Sequence, residues 1–140
     1  MVRVSSVLLL GVLAGSLAGC RNSSEPSSPS APSEFVLLGA YQLNAPATVA
    51  AGSSLTVVLT VYTGSCLHFD HIDESRRGTT ITLAPFGIDQ VDLPPNTACT
   101  TELRLEVHSY QLDPPFPQQF DVVVPASRFG ASVSHTVTVQ

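Results

Sequence analysis

The segment 54–62, SLTVVLTVY, alternates along its length: Leu55, Val57, Leu59 and Val61 fall on one side, Thr56, Val58, Thr60 and Tyr62 on the other. A period of two with apolar residues on one side marks a β-strand with one buried and one solvated face. The segment 99–110, CTTELRLEVHSY, repeats the pattern, with Leu103, Leu105 and Val107 opposite Glu102, Arg104, Glu106 and His108. The expectation is that Leu103, Leu105 and Val107 face the core. Further strand candidates are EFVLLGAY, TVAAG, CLHF, TTITLA, GIDQVDL, QFDVVVP and SVSHTVTVQ. Between them stand LNAPA, TGS, ESRRG, APFG, LPPNTA, LDPPFP and ASRFG, rich in residues that fix or permit turn conformations. Apolar residues at helical spacing are missing from this region, and prolines interrupt the longer windows. The pattern predicts an all-β domain over residues 35–140, a β-sandwich of about 7–9 short strands rather than a closed barrel.

Ahead of that domain the pattern changes twice. Residues 21–34, RNSSEPSSPSAPSE, carry no large apolar side chain and three prolines, so they have nothing to pack and read as a disordered tether. Before them, Arg3 and the amino terminus lead into VLLLGVLAGSLAG, an apolar run of 13 residues. As a helix this run reaches about 20 Å, short of the roughly 30 Å of a bilayer's hydrocarbon core, which favours a cleaved signal peptide over a permanent span.

The signal run ends in LAGC, residues 17–20, which resembles the lipobox of bacterial lipoproteins. The resemblance covers residues 1–20. It implies that the signal peptide, residues 1–19, is cut before Cys20, that the Cys20 sulfur carries a diacylglyceryl group, and that the new amino terminus takes a fatty-acyl chain such as palmitate. Cys20 is then the lipid attachment point, and residues 20–34 join the anchor to the domain at 35–140. Two or three acyl chains give lasting retention on a bilayer where one does not. Arg21, in place of Asp, implies an outer-membrane address if the organism has such a membrane, and otherwise a lipid-anchored place in the cell envelope.

Within the domain, PATVAAGSSLTVVLTV, then a cysteine, then LDPPFPQQFDVVV resembles the strand sequence of immunoglobulin-like domains on bacterial surface proteins. The chain departs from antibody-type domains: it has no Trp, no Tyr two residues before Cys99, and cysteines only 33 positions apart. The resemblance therefore implies an immunoglobulin-like architecture and no functional residue.

Charge narrows the partners. The net charge is −5, and the six basic residues are all arginines, of which only Arg76 and Arg77 are adjacent. Phosphate backbones require clustered positive charge, so no nucleic-acid partner is expected. The adjacent pair reads as the end of a solvated turn.

With Cys20 assigned to lipid, Cys66 and Cys99 remain, and an envelope compartment permits a disulfide between them. The alternative is a pair of reactive or metal-binding thiols, which no C-x-x-C spacing supports. CLHFDHIDE, residues 66–74, gathers Cys66, His68, Asp70, His71, Asp73 and Glu74. His68 and His71 are the candidate metal ligands there, meeting if the strand turns at Asp70. Hydrolysis would need a nucleophile and base brought together, and neither G-x-S-x-G nor H-E-x-x-H occurs. His108 and His135 stand singly in alternating strands, and His135 shares parity with Val133, Val137 and Val139, which suggests a hydrogen-bonded histidine at the core edge or a local bulge. Phe116 in LDPPFPQQF and the arginines of SRRG offer loop contacts, or else Phe116 covers one end of the sandwich. No motif calls for a cofactor. The expected protein is a non-enzymatic binding or structural module on a membrane surface, touching the bilayer through acylated Cys20 and an envelope protein or glycan through the domain. A metal-binding lipoprotein using His68 and His71, and a small envelope hydrolase, are the alternatives.

Overall fold

The structure, a computed structural model, describes residues 33–90 and 98–140. The signal segment, Cys20, the LAGC motif and the tether up to residue 32 lie outside the described residues, as do residues 91–97 with the end of GIDQVDL.

Among the described residues every element is a β-strand: β1 Ser33–Leu37, β2 Ala40–Asn44, β3 Thr48–Val49, β4 Leu55–Gly64, β5 Leu67–Arg77, β6 Thr80–Gln90, β7 Leu103–Leu112, β8 Gln119–Val124 and β9 Val133–Val139. They form a β-sandwich of two sheets. The larger runs β1-β6-β8-β9-β3 with β5 on the other side of β6, and the smaller is β2-β4-β7.

Several predicted breaks fall inside strands. APFG lies within β6, which pairs with β8 at Thr80–Thr82 and with β1 at Phe86–Gln90 along one side. Pro85 sits in the gap between those two ladders, where a residue lacking an N–H disappoints no strand on that side. ESRRG is strand as far as Arg77; the hairpin turns at Gly78, whose φ of 58° is the left-handed conformation glycine tolerates. EFVLLGAY divides into β1 and β2, one in each sheet. At the crossing, Gly39 runs so close to Phe129 and Gly130 that a Cβ would lie 2.7 Å from backbone atoms.

Between the sheets lies one apolar cluster. The smaller sheet supplies Ala40, Leu55, Val57, Leu59, Val61 and Leu112; the larger sheet and its connections supply Leu38, Ile81, Leu83, Phe120, Val122, Val124 and Val137. The parity predicted for 54–62 is the one observed. Thr63 continues that inward row at 0% exposure, and its hydroxyl donates to Glu106 Oε1 at 2.9 Å.

β7 reverses its expected parity. Leu103, Leu105 and Val107 are 65%, 51% and 66% exposed, whereas Glu106, His108 and Tyr110 are half-buried and Leu112 is fully buried. The register with β4 explains the reversal. The buried residues Leu55, Val57, Leu59, Val61 and Thr63 stand opposite Leu112, Tyr110, His108, Glu106 and Arg104, so the even-numbered side of β7 turns inward. A one-residue slip would save the three exposed aliphatics but drive Leu112 out of the core and misalign ten consecutive pairs.

Candidate binding face

The side chains displaced outward by this register make the most distinctive surface of the domain. On the outside of the smaller sheet, Leu105 stands opposite Tyr62, Val107 opposite Thr60, and Leu103 opposite Gly64. Tyr62 meets Tyr41 edge-to-face at a ring separation of 5.9 Å, and Tyr41 is itself 57% exposed. Half-buried Val58 lies further along the same row of β4. Exposed aliphatic and aromatic side chains set side by side, rather than scattered singly, are the usual composition of a surface that meets a partner.

The inward side of β7 packs against β5, the strand across the open flank of the sandwich. His108 stacks on Phe69 with centroids 3.6 Å apart. Tyr110 donates its hydroxyl to Glu74 Oε2 at 3.2 Å. Burial there, and then the neighbouring Glu74 carboxylate, push the Tyr110 phenol above its ordinary value of 10.0. Glu74 also pairs with Arg76, whose guanidinium donates to the carbonyls of Asp113, at 2.7 Å, and Pro115, at 3.0 Å. Arg76 thus fastens the loop after β7 rather than ending a solvated turn. Phe116 lies beneath it and stacks on Phe120 at 4.8 Å, closing that end of the sandwich. At the same end Asp113 accepts hydrogen bonds from Gln111 and Ser54, which lower its carboxyl below the usual range.

At the opposite end, Cys66 and Cys99 form a disulfide with Cα atoms 5.5 Å apart. It ties the start of β5 to the segment leading into β7. Ser65 reinforces the tie, accepting from Thr100 N at 2.7 Å and donating to Thr100 O at 3.1 Å. A shallow cavity of about 210 Å³ opens here, lined in part by Gly64, Cys99, Glu102, Leu103 and Phe129, and the Arg128–Asp89 ion pair at 2.6 Å spans one wall.

His68 and His71 share the outward face of β5, opposite Ile88 and Phe86, with a register shift between Phe69 and His71. That shift places Asp70 where the sequence suggested a turn. His71 stacks on Phe86, and its ring nitrogens face different carboxylates: Nδ1 lies 2.6 Å from Asp70, and Nε2 lies 3.6 Å from Asp73. Carboxylates on opposite ring nitrogens cannot join that histidine at one ion, and Cys66, bound to Cys99, presents no thiolate. Among the described residues no three His, Cys, Asp or Glu side chains converge as metal ligands. His135 faces inward with Val133, Val137 and Val139, as its parity implied. Its pairing with Val122 is regular, without a bulge, and its Nε2 is buried with no hydrogen-bond partner. His108 Nε2 is likewise buried and unpartnered, 3.5 Å from Glu106 Oε2.

The sequence hides the apolar face because the regular alternation of Leu103, Leu105 and Val107 reads as a core-facing row. A signal was present in Tyr110 and Leu112, which extend the even-numbered side with an aromatic and a leucine. No family model, curated protein or solved structure matches the chain.

Proposed function

We propose that the chain is a cell-envelope lipoprotein, held on a membrane through acylated Cys20 and presenting its sandwich as a non-enzymatic binding or structural module. The anchor rests on LAGC at the end of a short apolar run, followed by a Ser/Pro tract. The Cys66–Cys99 bond supports it, because neither cysteine needs Cys20 as a partner. The module reading is carried by one observation: the outer face of the smaller sheet, where Leu103, Leu105, Val107 and Tyr41 are exposed together. Such a face costs solubility unless it is covered, and covering it is what a binding module does.

Mass spectrometry of the membrane-extracted protein tests the anchor. The expected product begins at Cys20 and carries a diacylglyceryl group and an amino-terminal acyl chain; an unmodified Cys20, or cleavage elsewhere, contradicts it. The module is tested by the combined change Leu103→Ser, Leu105→Ser and Val107→Ser. A component that co-purifies with the intact protein is expected to be lost from this variant, and its retention at wild-type levels would remove the face from the account.

A further inference from the structure

An exposed strand edge presents unpaired N–H and C=O groups to any other strand, and folded proteins blunt such edges by shortness, bulges, prolines or lysines. Most bordering strands here are blunted. β3 has 2 residues, β1 and β2 have 5 each, and β2 and β5 carry register breaks. β7 has 10 residues, no proline, no lysine and an unbroken register with β4. Among the described residues no strand pairs with its other side.

The side chains on β7 fit a second copy of the same strand. In an antiparallel pair related by a two-fold axis at Leu105, Leu105 faces its own counterpart and Leu103 faces Val107 on the outer side. On the inner side Arg104 faces Glu106 and Glu102 faces His108, each pair occurring twice. The registers centred on Arg104, Glu106 and Val107 fail. An axis at Arg104 or Glu106 sets that charge against itself, and an axis at Val107 sets Leu103 against Gln111 and Leu105 against Ser109. Apolar and opposite-charge cross-strand pairs stabilise a sheet, whereas like charges directly opposed destabilise it. We infer that two copies of this chain pair through the free edge of β7, antiparallel and centred on Leu105, joining their smaller sheets into one.

The pairing is isologous, the commonest form of a closed dimer. It brings Leu103, Leu105 and Val107 of both copies side by side as one apolar band on the outer side, enlarging the face on which the binding-module reading rests without covering it. It does not depend on the lipid at Cys20.

The test uses the full chain with Leu105→Cys, compared with Ser109→Cys, under mild oxidation and with the cross-linked peptides mapped so that thiols elsewhere are told apart. A residue on the two-fold axis lies about 4.5–5.5 Å, Cβ to Cβ, from its counterpart, whereas the two Ser109 positions lie roughly 27 Å apart in this register. The Leu105→Cys chain is expected to link to itself at least about tenfold more than the Ser109→Cys chain. No self-linking at Leu105, equal linking at both positions, or linking only to a different protein overturns the inference. Independently, Arg104→Glu sets like charges against Glu106 and is expected to raise the dimer dissociation constant about tenfold. Arg104 is 59% exposed, so the change leaves the fold intact, and an unchanged constant contradicts the register.

Discussion

β5 and β7 border opposite sheets on the same flank of the sandwich, are nearly equal in length, and solve the problem of an open edge in opposite ways. β5 breaks register at Asp70 and carries Asp70, His71 and Asp73 on its outward side, all unfavourable to a second strand. It spends Phe69, Glu74 and Arg76 inward, holding β7 and the loop beyond it. β7 is regular, turns Glu106, His108 and Tyr110 inward, and presents two leucines and a valine to solvent. The contrast shows that polarity alone does not decide which side of a strand is buried. A polar row can face inward when the packing holds it: Glu106 accepts from Thr63, Tyr110 donates to Glu74, and His108 stacks on Phe69 although its Nε2 has no hydrogen-bond partner.

The largest expected effect comes from cutting the tie that holds both strands at one end. Replacing Cys66 and Cys99 together by alanine releases a loop closed across 33 residues and is expected to cost about 4 kcal/mol in the chain-entropy model, read as a lowered urea midpoint. Next, Leu112→Ala removes a fully buried side chain from the even side of β7 and is expected to cost about 3 kcal/mol, while Leu105→Ala on the odd side costs less than about 1 kcal/mol. Similar costs for the two would break the contrast between the faces.

Arg76→Ala removes the donor to the Asp113 and Pro115 carbonyls and the partner of Glu74. Thermal unfolding is expected to register a loss of about 1–2 kcal/mol, with the loop after β7 becoming more open to proteolysis. The smallest effect is a pH dependence. Because the folded state raises the Tyr110 pKa, its contribution is complete below the unfolded value of 10.0 and fades as pH rises through the folded value. Stability should therefore fall more steeply above pH 10 in the wild type than in Tyr110→Phe, and equal slopes would remove Tyr110 from the account of the flank.

Fold class was legible because β4 states its parity plainly and the domain is cut by turn residues at short intervals. The disulfide was legible from the cysteine count together with the envelope compartment that LAGC implies. Strand limits were less so: Pro85 looks like a break until the gap between β8 and β1 is known, and ESRR looks like a turn although its Glu74 and Arg76 have partners across the sandwich. The outer face was illegible for a related reason. Leu103, Leu105 and Val107 alternate more regularly than the side of β7 that is buried, and only the pairing with β4, a contact between positions far apart in sequence, decides between the two. His68 and His71 share a face only through the register shift at Asp70, a backbone feature with no local sequence mark that also sets a different carboxylate beside each ring nitrogen of His71.

The reversed parity of β7 underlies both the binding face and the proposed pairing, and it is tested most directly by thermal unfolding of the full chain, dilute enough to be monomeric, carrying Leu103→Ser, Leu105→Ser and Val107→Ser together. With these side chains in solvent, the three changes together should cost no more than about 1.5 kcal/mol, a midpoint shift of less than about 10 °C. If they belonged to the core, the loss of three buried aliphatics would exceed about 5 kcal/mol and leave the domain largely unfolded, which would contradict the account.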